Sequence, residues 1–167
     1  MGQRLAIFAS YHQEGMVDSY KLKVLEGIRP YVSGLAAVCN GTVNDAGYRK
    51  LCGIADEVIV RDNVGYDAGA YKDALLQMRK NRQLEKYEEV ILLNDTFFGF
   101  LYSLDEFFSE VHRKENIDFW GITKHPEGED TAGNRYNGHI QSYFILIRRR
   151  MFHSEDFWGF WDGLQYP

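Results

Sequence analysis

Val90-Ile91-Leu92-Leu93-Asn94-Asp95-Thr96 is the stretch on which the fold turns. Side chains of a strand alternate between faces, so four consecutive apolar residues predict a strand buried on both, central in a parallel sheet. The polar triplet behind it then falls at a strand's carboxyl end, where open α/β sheets bind ligands. Upstream, Leu5-Ala6-Ile7-Phe8, Leu35-Ala36-Ala37-Val38-Cys39 and Val58-Ile59-Val60 read as further strands. Helical spacing separates them: Val17, Tyr20, Val24, Ile28 and Tyr31 form a stripe ending around Pro30. A short helix through Tyr48 and Leu51 is capped by Asn44 or Asp45, and Ala68, Tyr71, Leu75 and Met78 mark another. Downstream, Ser103-Leu104-Asp105-Glu106 has the form of a capping box for a helix carrying Phe107, Phe108 and Val111. Phe119-Trp120-Gly121-Ile122 and Tyr143-Phe144-Ile145-Leu146-Ile147 are two more strands, and Ser154 is expected to cap an aromatic last helix. His125 to Gly138 is polar, Gly-rich and aperiodic, the pattern of a mobile loop. The alternation predicts an α/β fold of three layers with a mostly parallel sheet.

Composition agrees with this and excludes other classes. The 167 residues are 45% hydrophobic and 26% charged, a globular balance, and fit one domain. A net charge of −5 without a basic stripe argues against nucleic acid. Cys39 and Cys52 have no zinc-ligand spacing and are too few for a disulfide scaffold, which predicts a reducing compartment. Met1-Gly2-Gln3-Arg4 leads straight into the first strand rather than into a signal peptide, and Ala6 breaks the myristoylation pattern. No apolar run is long enough to span a bilayer. The expectation is a soluble cytoplasmic protein, with peripheral docking at the inner face of the membrane left open. Phe157-Trp158-Gly159-Phe160-Trp161 needs a partner surface. Either it packs back on the core or the chain is a piece of a longer protein, which is the reading favoured; such exposed rings could also pair two chains.

The ends of the first four predicted strands open onto ligand-capable side chains: Ser10, Tyr11 and His12, then Asn40 and Thr42, then Arg61-Asp62-Asn63-Val64-Gly65-Tyr66-Asp67, then Asn94-Asp95-Thr96. There is no G-x-G-x-x-G after the first strand, no P-loop and no G-x-S-x-G, which counts against nicotinamide enzymes, ATPases and α/β hydrolases. Asp95 is read either as a carboxylate holding a divalent cation of the Mg²⁺ or Mn²⁺ type against a diphosphate or as a turn cap. The helix start at Gly65 to Gly69 suits an anion, and Asp67 is there either as a site group or as the N-cap. Arg61 pairs with a phosphate or with Asp62 or Asp67. His139 is a base or a structural histidine. Arg148-Arg149-Arg150 reads as a solvated strand end, with anionic lipid as a minor alternative.

Four motifs, Asn63 to Lys72, Leu92 to Gly99, Asp118 to Thr123 and His139 to Phe144, resemble in order those of the rhamnan synthesis protein F family, a likeness running from about Leu5 to Trp161. The resemblance implies a GT-A-type, Rossmann-like nucleotide-sugar-binding fold. It divides the single domain into a donor part, about 1–100, and an incomplete acceptor part, about 101–167. It implies a rhamnosyltransferase that moves sugar with inversion from a nucleotide-sugar donor, with dTDP-L-rhamnose the expected one, to a lipid-linked glycan of a cell-wall polysaccharide or lipopolysaccharide. Where GT-A enzymes carry D-x-D this chain has Asn94-Asp95-Thr96, so Asp95 is implied as metal ligand and Asn94 as a ribose or phosphate contact. Asp118 and His139 are the candidate bases. A noncatalytic sugar-binding module and an assembly subunit are the competing readings.

Overall fold

The computed structural model describes residues 3–166. Met1 and Gly2, part of the amino-terminal signal reading, and Pro167 lie outside them. The chain runs β1 (Arg4–Tyr11), α1 (Ser19–Ile28), β2 (Gly34–Asn40), α2 (Asp45–Cys52), β3 (Glu57–Arg61), α3 (Tyr66–Lys80), β4 (Glu89–Asn94), α4 (Asp105–Arg113) and β5 (Phe119–Gly121). Four two-residue strands follow, β6 (Lys124–His125), β7 (Gly128–Glu129), β8 (Arg135–Tyr136) and β9 (His139–Ile140). Then come β10 (Phe144–Arg148), α5 (Arg149–Phe152) and α6 (Glu155–Gly163).

The main sheet has the order β3-β2-β1-β4-β10-β5, so β4 is interior as its apolar run requires. β1, β2, β3 and β4 are parallel, while β10 pairs antiparallel with both β4 and β5. The chain moves outward from β1 to β3, then crosses back over β1 to β4. Right-handed crossovers made in opposite directions put their helices on opposite faces. Val24 and Leu25 of α1, Leu51 of α2 and Phe108 of α4 accordingly share one core with Phe8 and Leu93, and Tyr71 of α3 and Trp161 of α6 share the other with Ile7 and Leu92. The reversal of strand order between β1 and β4 is the switch point at which a ligand crevice opens.

Several local expectations change. Asn44 is the cap of α2, its side chain accepting the Gly47 N–H at 2.7 Å. Asn44→Ala is expected to cost about 1 kcal/mol and lower Tm by roughly 2–4 °C, read by thermal unfolding. The capping box at Ser103 does not form, because Leu104 takes the cap position and Ser103 Oγ accepts the backbone N–H of Asp105, at 3.2 Å, rather than one further into the helix. His125 to Gly138 is a nested pair of short antiparallel ladders, β6 with β9 and β7 with β8, rather than a structureless loop. Asp130 closes its tip by accepting the side-chain amide of Asn134 and the backbone N–H groups of Asn134 and Ala132, which hold its carboxyl below the usual range.

The arginine run is not a free strand end either. Arg148 donates to the carbonyls of Val111 and Glu115, Arg149 pairs with Glu88, and Arg150 with Asp118. Ser154 caps α6 through the Phe157 N–H, and that helix packs back on the core with Phe157, Trp158 and Trp161 buried and Phe160 exposed. No helix among the described residues is long and apolar enough to cross a membrane.

Candidate functional site

Parallel register brings three strand ends level: Tyr11 lies beside Asn40, and Ala9 beside Asn94. Ser10, Asn40 and Asn94 are buried polar residues there, a cost in free energy unless each is bonded. Asn40 donates from Nδ2 to the Tyr66 carbonyl at 3.1 Å and accepts Arg61 at 2.5 Å. Arg61 also donates to Asp73 at 2.6 Å and to the Val64 carbonyl at 2.8 Å. It is thus a brace that fixes the turn before α3, and its partners are neither Asp62 nor Asp67.

Gly65 caps α3 with φ 73°, a left-handed conformation glycine adopts without penalty. A side chain there would also strike the ring of Tyr166, which folds over it from beyond α6. Asp67 is therefore the second residue of the helix and not its cap. Intrahelical bonding starts with the Gly69 N–H on the Gly65 carbonyl at 2.8 Å, so the N–H groups before it are free of the helix ladder at its positive end.

Asn94 and Asp95 point to opposite faces of the sheet, as consecutive strand residues must. Asn94 turns to α3, donating to Asp67 Oδ2 at 2.7 Å, and its own oxygen accepts the Thr96 N–H and hydroxyl at 3.1 and 2.7 Å. The turn-capping role considered for Asp95 thus belongs to Asn94, a positioning residue held by the protein. Asp95 turns to α1. Its Oδ2 accepts the Tyr11 N–H at 3.1 Å and meets Lys21 Nζ at 2.7 Å.

Lys21, which the sequence reading missed, is only 2% exposed. The signal for it was its spacing, since it lies on the apolar stripe of α1 one turn before Val24 and Leu25. The donor set does not fit a divalent cation. Thr96, two residues on from Asn94, is uncharged and bonded back to it, Asp95 already carries an ammonium, and among the described residues no group of three His, Cys, Asp or Glu is placed to hold a metal.

Burial, then the charge of Asp95, raises the pKa of Asp67 against the opposing Asn94 bond. The folded state therefore keeps this proton to higher pH than the unfolded chain, and the group's contribution falls as pH rises from the ordinary value of 3.8 through the raised one. Asp67→Asn, which keeps an acceptor for Asn94, is expected to gain in Tm over wild type progressively across the acid-to-neutral range. A difference that stays flat with pH would refute this. Burial, with Asp67 and Asp95 nearby, also pushes the Tyr71 phenol well above its ordinary range, leaving its hydroxyl a donor.

From Asp67 and Ser142 an apolar groove of about 840 Å³ runs along β10, floored by Leu92 and Ile145 and walled by Tyr71 and Trp161. Asp118 lies at its far end, paired with Arg150. The register explains this: Phe119 opposes Ile147 and Arg148 opposes Glu89, which sets Asp118 level with the amino end of β4. It is not brought together with Asp95. His139 lies on the β6–β9 ladder, exposed, stacked on His125 at 5.2 Å and within 3.0 Å of the Asn137 carbonyl.

The family model for rhamnan synthesis protein F matches residues 35–166, beginning later than the motif likeness and leaving out β1 and α1. The chain is similar to an uncharacterized protein of Sinorhizobium fredii, y4gN, at 26% identity over 157 residues, 94% of this chain and 39% of that protein. It is also similar to virulence protein VirA of Vibrio anguillarum, at 28% identity over 148 residues, 86% of this chain and 42% of that one. It thus spans about two fifths of the length of these curated relatives.

Among solved structures it resembles 4-diphosphocytidyl-2C-methyl-D-erythritol synthase from Anaerococcus prevotii DSM 20548, with TM-score 0.59 and 10% identity over 95% of this chain and 76% of that one. A protein of Desulfovibrio desulfuricans G20 assigned to the nucleotide-diphospho-sugar transferases gives TM-score 0.50 and 13% identity over 99% of this chain and 70% of that one. At such identities the likeness is one of fold, and the fold is the α/β, GT-A-type architecture.

Proposed function

The chain belongs to the rhamnan synthesis protein F family, and from that premise we propose that it is the donor-binding part of a glycosyltransferase that builds a rhamnose-containing surface polysaccharide. One observation supports this most: the ends of β2 and β4 are bonded to the start of α3 in one polar floor through Asn40, Asp67 and Asn94. A nucleoside-diphosphate sugar, with dTDP-L-rhamnose the first candidate, lies on that floor. The free N–H groups of α3 take its phosphate oxygens at the positive end of the helix. The aromatic-walled groove that starts at Asp67 receives the acceptor sugar.

In the reaction the acceptor hydroxyl oxygen forms a bond to the anomeric carbon. The bond from that carbon to the phosphate oxygen breaks, and the nucleoside diphosphate leaves with the electron pair. The hydroxyl proton passes to the carboxylate of Asp67, and one displacement inverts the centre. Asp67 suits this role because it opens into the groove and burial raises its proton affinity, as a general base needs. Asp118 is too far along the groove for it.

Calorimetric titration with dTDP, UDP, GDP and CDP is expected to find one nucleotide that binds. With the matching nucleotide sugar and a glycan acceptor, Asp67→Asn is expected to bind the nucleotide as wild type does and to lose transfer. Silence across the panel from folded protein would leave an assembly or glycan-binding subunit instead.

A further inference from the structure

The carboxylate at the end of β4 already has a cation on it, and that cation belongs to the protein. Lys21 Nζ lies 2.7 Å from Asp95 Oδ2 and donates to the Tyr11 carbonyl at 2.6 Å. Asp18 stands 4.0 Å away and the Tyr20 ring centroid 5.8 Å away, so carboxylates, a carbonyl and a ring face surround the ammonium. With 2% of its surface exposed, Lys21 is no mobile surface charge that a metal could displace cheaply. A dication on Asp95 would sit beside an ammonium bonded to the same carboxylate, and at that range like charges repel strongly in a buried setting.

Geometry removes the other ligands. Asn94 faces the opposite side of the sheet, where its amide is committed to Asp67, and Thr96 is committed to Asn94. Lys21 itself lies outside residues 35–166, the span of the family match.

We propose that Lys21 stands in for the divalent cation: it cancels the charge of Asp95, so that a nucleoside diphosphate binds at the strand ends without metal. The proposal rests on the donor reading above. Phosphate approaches strand ends at which the Asp95 carboxylate is neutralised, and its hydrogen bonds come from the backbone of the α3 turn.

The test uses the whole chain and two readouts. The nucleotide found in the panel is titrated in EDTA and again in Mn²⁺, and the spin-resonance spectrum of Mn²⁺ is recorded with protein alone. Equal affinity in both titrations is expected. Binding only with Mn²⁺, or tightening by it, overturns the proposal while leaving the donor reading intact. If no nucleotide binds in either buffer the donor reading fails, and the Mn²⁺ spectrum still decides the cation question. A free-ion spectrum supports the lysine's occupancy, and a bound ion lost in Asp95→Asn overturns it. Lys21→Met, which uncovers the carboxylate, is expected to acquire Mn²⁺-dependent binding. A merely structural lysine would not give that gain, and the wild-type comparison stands without this variant.

Discussion

Lys21→Met is expected to lower the unfolding free energy by about 3 kcal/mol, the low end of what breaking a buried pair costs, because Asp95 keeps some access to water. The side chain is apolar along its stem and replaced by one of similar volume, so packing survives. What is lost is the partner of a carboxylate that is 12% exposed and cannot easily be rehydrated. For a chain of this size the loss corresponds to a Tm lower by roughly 6–12 °C. Asp95→Asn alone strands the lysine instead and should also destabilise. The double variant Lys21→Met with Asp95→Asn is expected to recover part of the loss, since neither group is then left charged and unpaired. Chemical denaturation of all four proteins closes the cycle. Additive losses would show that the two side chains do not act as a pair.

Gly69→Ala is expected to cost about 2–3 kcal/mol and to abolish nucleotide binding, although the substitution adds one methyl in a helix. That methyl would lie 2.1 Å from the Val64 carbonyl and 3.0 Å from Arg61 Nη2. The obstacle is backbone, and it is the same carbonyl on which Arg61 braces the turn before α3, so relief of the clash must move the helix start or break the brace. Gly159→Ala in α6 is the control. Nothing lies within 4 Å of its added methyl. It should be neutral or stabilise by roughly 0.5–1 kcal/mol through helix propensity. Equal behaviour of the two alanine variants would remove the steric argument.

Much of this was legible in the residue order because burial on both faces writes itself as uninterrupted apolar runs. Val90 to Leu93 announces an interior strand without any knowledge of its neighbours, and the polar residues behind each run fall at one edge of the sheet by the same logic. The direction of β10 is not written that way. Phe144 to Ile147 reads alike in a parallel or an antiparallel strand, and only the return of the β6–β9 ladder sets its sense. The two-residue ladders lack any alternation to detect, since Arg135 and Tyr136 are both exposed. Lys21 was hidden for another reason. Its spacing on α1 points inward, but a charged residue there reads as surface until Asp95 is seen to pair with it, and no local pattern connects Asp95 to α1. Asp118 sits at the amino end of β4 rather than beside Asp95, a placement that nearness in sequence to a strand does not reveal.

The pairing of β1 also bears on how the protein is made. Strand β1 meets β2 within a short stretch of chain, but its other edge waits for β4, 85 residues later at the Arg4–Glu89 pair. At about 5–20 residues per second, synthesis leaves an interval on the order of ten seconds. Throughout it the strand at the heart of the finished sheet offers unpaired N–H and C=O groups between apolar side chains. The ribosome-bound chain, more than the completed fold, is therefore the state most exposed to aggregation.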